Sequence, residues 1–191
     1  MNVDFERSQL RNIESFEYVY KGRILNLRVD QVLFPSGDIK PREVVEHRPA
    51  AAVLAIDGEG CVYLIAQYRH AVDEVIYEIP AGIVEDGEDI AQTAVRELQE
   101  EIGFKPGRLR EFFRLYSSPG FSDEEVVFFI AEDLEPSELP KDDDEQIEAI
   151  RFSPDEIVEL LEGGRIKDGK TMIALYWYQL QRVRENVRQA D

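Results

Sequence analysis

The chain has 191 residues, 43% hydrophobic and 32% charged, a balance that gives one sizeable core and perhaps a small appended unit. Its formal net charge of −18 lacks the basic footprint of a duplex or RNA binder, so no nucleic-acid partner is expected. One cysteine excludes an intrachain disulfide, the first residues hold no apolar leader, and no 18-residue apolar run exists, so the expectation is a cytoplasmic chain with no membrane partner.

Residues 1–14 are polar and are expected to be frayed or helical. Residues 16–20 and 24–34 alternate or run apolar like strands, with a turn at Pro35-Ser36-Gly37-Asp38 and a further strand over 42–47. The first 47 residues therefore read as a small β unit ahead of a main domain over 48–191. In that domain, runs at 51–56 and 61–68 flank Asp57-Gly58-Glu59-Gly60, a hairpin signal, and Cys61 belongs to the apolar run as a core residue. Residues 75–79 form a short strand that ends at Pro80. A glycine-bearing loop and a short helix follow, then strands over 109–117, 125–131 and 146–152, with an acidic, proline-flanked surface loop at 135–144. Ser153 as N-cap with Pro154 at the first helical position starts a helix that stops at Gly163-Gly164, and residues 171–188 form a long last helix. Strands flanked by helices predict an α/β protein, an α/β/α sandwich around a mixed sheet.

The short helix carries the chemistry. With Glu97 at zero and 100° per residue, Glu101 falls at about 40° and Glu100 at about −60°, so three carboxylates share roughly 100° of arc. Ala94, Leu98, Ala91, Ile102 and Val95 fall between about 60° and 160°, which places a core face beside the acid face. Like charges four residues apart destabilise a helix, and a divalent cation removes that penalty; hard oxygen donors suit Mg²⁺ or Mn²⁺. Gly103 suits a left-handed helix end, and Gly82 lets the loop pass close to the acid face. Arg96 lies one turn before Glu100, where pairing with Glu88 or Glu85 would hold loop to helix.

The spacing is more specific than the chemistry. Gly82, five residues, Glu88, seven residues, Arg96-Glu97-Leu98, one residue, Glu100-Glu101, one residue, Gly103 and then apolar Phe104 resembles the Nudix box in full. Seven fixed positions at about 7% each match by chance at of order 10⁻⁸ per start. The resemblance implies the Nudix fold over roughly residues 48–185 and cleavage of a nucleoside diphosphate linked to another group. It implies Glu97 and Glu101 as main metal ligands and catalytic groups, with Glu100 as a further ligand. The Ala81 backbone carbonyl would complete the set, with Mg²⁺ expected and Mn²⁺ possible. The general base resembles a glutamate on an acidic loop after the box; Glu145 is the leading candidate, ahead of Asp144 and Glu148.

Around the box, Gln67-Tyr68-Arg69, Glu78-Ile79-Pro80-Ala81-Gly82, Arg42-Glu43-Val44-Val45-Glu46-His47 and Ser117-Ser118-Pro119-Gly120-Phe121 resemble the ADP-ribose pyrophosphatase group, with Pro119 15 residues beyond Phe104. Arg69 and Arg42 are the phosphate-binding candidates, because arginine forks onto phosphate oxygens. Ser117, Gly120 and Phe121 are candidates for the terminal ribose. The resemblance implies a homodimer whose N-terminal β units help hold adenine, with Phe16, Tyr18, Tyr20 and Phe34 as aromatic candidates; core packing is the competing reading for each. His47 and His70 read as supporting residues, since imidazole is not a favoured ligand of hard Mg²⁺. The expected substrate is a small-molecule nucleotide sugar, ADP-ribose first, cleaved to AMP and ribose 5-phosphate. GDP-mannose or ADP-glucose as substrate, and a non-catalytic domain that senses ADP-ribose, are the alternatives.

Overall fold

The computed structural model describes residues 12–140 and 146–190; the stretch expected to be frayed or helical lies largely outside them. The chain divides into two compact units. In the first, β1 (Ile13–Lys21), β2 (Leu25–Leu33) and β3 (Ile39–His47) form an antiparallel sheet in the order β1-β2-β3. The expected turn closes between β2 and β3: Phe34 N–H donates to the Asp38 carbonyl at 2.9 Å, and Gly37 takes φ +87°, which a residue with a Cβ resists. Residues 116–125 belong to this unit. They are tied to β3 where Val45 N–H donates to the Phe121 carbonyl at 2.7 Å.

The second unit holds β4 (Ala50–Ile56), β5 (Val62–Arg69), β6 (Glu74–Glu78), β7 (Ala81–Ile83), α1 (Ile90–Glu101), β8 (Phe104–Tyr116), β9 (Glu125–Pro136), β10 (Ile147–Phe152), α2 (Pro154–Glu162) and α3 (Gly169–Ala190), except that Tyr116 and Glu125 fall to the first. Among the described residues these strands make one sheet in the order β10-β5-β4-β9-β8, with β6 on β5 and β7 on β4. β4 runs parallel to β9 and antiparallel to β5 and β7, so the sheet is mixed.

Both faces of the sheet are covered, because its central strands are apolar on both sides. Ala52 and Leu54 of β4, with Val126, Phe128 and Ile130 of β9, pack against Ile157 and Leu160 of α2 and Leu175 and Tyr178 of α3. The alternate residues Ala51, Val53, Ala55, Val127, Phe129 and Ala131 pack against Ala94 and Leu98 of α1. The expected α/β/α sandwich is the fold. Asp89 caps α1 and Ser153 caps α2, each in a reciprocal capping box with the residue three further on. Cys61 is buried, and burial pushes its thiol up, as suits a core residue.

Three local readings change. The run 57–60 does join β4 to β5, but their Cα register holds only at Ala55↔Tyr63 and Ile56↔Val62; beyond it β4 pairs with β7 and β9 instead. The segment after Pro80, expected as loop, contributes β7. β8 also starts earlier, at Phe104, through Pro106 and Gly107. A Cβ on Gly107 would meet the Asp133 carbonyl at 2.9 Å, so glycine there permits a close strand approach. No helix among the described residues is long and apolar enough to cross a membrane.

Candidate active site

In the second unit, α1 lays its acid face against the segment that enters β7. Glu97 and Glu101 are only 8% and 3% exposed, so two of the three carboxylates on the face read as acidic are buried, with Glu100 partly exposed. Burying a carboxylate costs several kcal/mol unless hydrogen bonds or charge compensate it. Ala81 N–H donates to Glu101 Oε2 at 3.0 Å, and Arg96 Nη1 donates to Glu97 Oε1 at 2.7 Å. A Cβ on Gly82 would lie 1.7 Å from Glu97 Oε1, so the missing side chain is what lets the carboxylate sit there.

Arg96 is the hub. It forks onto Glu88 through Nε and Nη2 at 3.0 and 3.1 Å, reaches the Ile83 carbonyl at 3.3 Å, and shares Nη1 between Glu97 and Glu100, the latter at 2.9 Å. Glu88 also accepts from the Thr93 hydroxyl at 2.7 Å and from Glu85 N–H at 3.2 Å. The Arg96 bonds outweigh the effect of burial and, with the Thr93 and Glu85 donors, hold the Glu88 carboxyl at about 2. The Glu88 bonds likewise hold the Arg96 guanidinium above its ordinary value. Arg96 and Glu88 thus fasten loop to helix.

The donors fit a hard divalent cation: carboxylate oxygens on a buried face, with no side chain on Gly82 to crowd them. Among the described residues no three His, Cys, Asp or Glu side chains gather on one point. Arg96 draws an oxygen of Glu97 and one of Glu100 to itself.

Arg69, at the end of β5, holds Glu78 through Nε and Nη2 at 2.5 and 2.8 Å, and stays partly exposed. Glu78 is 1% exposed and also takes the Lys170 ammonium. Burial pushes its carboxyl up, but Arg69 and Lys170 prevail and hold it below the ordinary value. Lys170, Thr171 and Asp168 beside it had no assignment from sequence. Lys170 and Thr171 stand at the start of α3 and meet Glu78 and Ile79, each 92 residues away, and no sequence signal joined the two.

The other substrate candidates lie in the first unit. Arg42 Nη1 donates to the Pro41 carbonyl at 2.8 Å, and its guanidinium lies 5.0 Å from the Phe34 ring centroid. Both line a cavity of about 340 Å³ with Arg28, Asp30 and Asp123. Ser117 Oγ donates to Glu124 Oε2 at 2.5 Å; Gly120 is open to solvent and Phe121 is exposed. Phe16 and Tyr18 pack edge to face at 5.8 Å, and Arg28 and Lys21 lie over their rings. His47 Nδ1 bonds to the Arg48 carbonyl at 2.6 Å, and His70 has Tyr68 as a ring neighbour. Glu145 and Asp144 lie outside the described residues. Glu148 is an exposed residue of β10.

Residues 46–175 match the family model described as the NUDIX domain, and residues 14–45 match the nucleoside diphosphate sugar hydrolase N-terminal domain. The chain is 38% identical over 167 residues to a protein named ADP-ribose pyrophosphatase from Bacillus subtilis, covering 86% of this chain and 90% of that one. It is 39% identical, with the same coverage, to a protein named methanol dehydrogenase activator from Bacillus methanolicus. A solved structure titled as that of an ADP compounds hydrolase superposes with a TM-score of 0.81 at 22% identity, covering 92% of this chain and 95% of that one.

Proposed function

The chain belongs to the NUDIX family, and from that premise we propose that it hydrolyses ADP-ribose to AMP and ribose 5-phosphate with Mg²⁺, or Mn²⁺ in its place. The observation that carries this reading is the buried pair Glu97 and Glu101, pressed against Ala81 and Gly82 and braced by Arg96. The relative named ADP-ribose pyrophosphatase, similar over 86% of the chain, supports the choice of substrate.

Glu97, Glu101, Glu100 and the Ala81 carbonyl would hold the cation. When bound, a divalent cation supplies charge neutralisation on phosphoryl oxygens and a water of lowered pKa. Hydrolysis adds water across the P–O–P bridge: the water oxygen bonds to one phosphorus and the bridging oxygen leaves with the other. Glu145 is the proposed base for the proton of that water. Arg69 offers Nη1 to the diphosphate while Glu78 holds its Nε and Nη2 edge. Arg42, Ser117, Gly120 and Phe121 are the proposed contacts to the rest of the substrate. The N-terminal unit is proposed to serve dimer formation and base binding, in a cytoplasmic homodimer.

The test is a substrate panel of ADP-ribose, ADP-glucose and GDP-mannose with Mg²⁺. AMP and ribose 5-phosphate are expected in equal amounts from ADP-ribose, with the highest kcat/KM of the panel, and no product in excess EDTA. A higher kcat/KM on GDP-mannose would replace the substrate, and full turnover in EDTA would overturn the reading.

A further inference from the structure

Glu78, Ile79, Pro80, Ala81 and Gly82 run from the end of β6 into β7, and each is held by a different partner. Glu78 takes the Arg69 fork and the Lys170 ammonium. Ile79 N–H donates to Thr171 Oγ1 at 2.8 Å, and the Pro80 carbonyl accepts from Val53 N–H at 2.8 Å. Ala81 donates to Glu101, and Gly82 lies against Glu97. Two of these anchors, Lys170 and Thr171, come from the first turn of α3. Asp168 sets both: its Oδ2 accepts from Thr171 N–H at 2.9 Å and from Thr171 Oγ1 at 2.6 Å, and lies 3.1 Å from Lys170 Nζ.

The directions of these bonds are forced. An ionised carboxylate only accepts, so the single hydroxyl proton of Thr171 goes to Asp168. Its oxygen is then an acceptor aimed at Ile79 N–H. Thr171 and Ile79 are both fully buried, so no water replaces the bond. The same turn therefore fixes the backbone two residues before Ala81 and the charge on Glu78.

We propose that the Asp168–Lys170–Thr171 turn is a positioning element for the hydrolysis, acting through Ile79 and Glu78 to hold Ala81 and Gly82 against Glu101 and Glu97. This rests on the reading of those glutamates as the cation-holding pair. Thr171 touches neither glutamate; it acts on them through the backbone from Ile79 to Gly82.

Thr171→Val keeps the side-chain shape and removes the hydroxyl, whereas Thr171→Ser keeps the hydroxyl. The readouts are Mn²⁺ binding without substrate, followed by the paramagnetic signal of free Mn²⁺, then kcat and KM on ADP-ribose, and hydrogen exchange at the Ala81 amide. In Thr171→Val the Mn²⁺ Kd is expected to rise about tenfold and kcat to fall about 10–100-fold, the usual range for residues behind a metal's own ligands. KM should stay within about twofold, and the Ala81 amide should exchange faster. Thr171→Ser should track the wild type. A folded Thr171→Val with wild-type Mn²⁺ affinity and kcat would overturn the proposal, as would a Thr171→Ser impaired to the same degree. If Thr171→Val does not fold, Lys170→Met decides by the same readouts, since it keeps the Thr171 hydroxyl on Ile79 and removes the ammonium that pairs with Glu78 and Asp168. A wild-type protein that neither binds Mn²⁺ nor turns over ADP-ribose would refute the proposed function itself, a result distinct from an active wild type matched by its variants.

Discussion

Gly82 and Glu97 compete for one space, since a Cβ on the glycine would sit 1.7 Å from the glutamate's Oε1. The intruded atom is the tip of a flexible side chain, so Gly82→Ala can be accommodated by moving the carboxylate, and the fold should survive. The carboxylate then leaves its place, and a displacement of about 1 Å in a reacting group can cost 10²-fold in rate. Gly82→Ala is therefore expected to lose about 10² in kcat while its thermal unfolding stays near wild type. A variant with wild-type kcat would mean that Glu97 has no fixed role. Glu97→Gln and Glu101→Gln keep the shape and remove a charge; turnover should fall by about 10³, again with the fold intact. Circular dichroism melts beside steady-state rates check all three. The sequence carried Gly82, Glu97 and Glu101 because they recur at fixed spacing on one helix and its entry loop. It could not carry Lys170 or Thr171, whose partners lie 92 residues away and are met only once α3 has docked.

Ala94 and Leu98 seat α1 on the sheet, Arg96 fastens the preceding loop to it, and that linkage has a pH signature. The Glu88 carboxyl is held at about 2 in the folded chain, against an ordinary 4.5. A carboxyl whose pKa is lowered by folding contributes stability above its unfolded value, and loses it as pH falls through the folded one. The contribution is thus complete at pH 6, declines below about 4.5 and is gone near 2. Glu88→Gln should lower Tm at pH 6–7 and approach the wild type as the melt is moved to pH 3. A Tm difference that is constant from pH 7 to pH 3 would show that the Arg96 pairing is not what the variant removes. This element was legible from residue types alone, through its acid and core faces and its glycine-marked end at Gly103, whereas the Asp89 cap at its start was met only in the structure. Strand β7 was not legible: Ala81–Ile83 is three residues long, too short for an alternating pattern, and it forms because β4 offers Ala50–Ala52 as partners. The divergence of β4 from β5 after two residue pairs has the same origin, since a turn signal fixes where strands meet and not how far they stay together.

At the scale of the whole molecule, the N-terminal unit raises the question of what covers it. Its sheet has three strands, and Phe16, Val19 and Tyr20 are each 57–60% exposed on β1, with Ile39 at 55% on β3. Units of about 40 residues rarely bury enough apolar surface to stand alone, and exposed aromatic patches mark interaction surfaces. A second copy of the chain satisfies the same patch on both subunits by two-fold symmetry. Charge does not forbid this: at −18 per chain, long-range repulsion is screened beyond about 8 Å at physiological salt, whereas apolar burial at contact is not. The full chain is therefore expected to scatter light as a particle of twice the 22.0 kDa chain mass at micromolar concentration. Deleting residues 1–47 should give monomers that still bind Mn²⁺, because Glu97, Glu100 and Glu101 all lie in the other unit. ADP-ribose binding should weaken more than Mn²⁺ binding, since Arg42 and the aromatic candidates leave with the deleted segment. A full-length chain that is a clean monomer and active on ADP-ribose would overturn the dimer. A truncated chain with unchanged KM would remove the N-terminal unit from substrate binding.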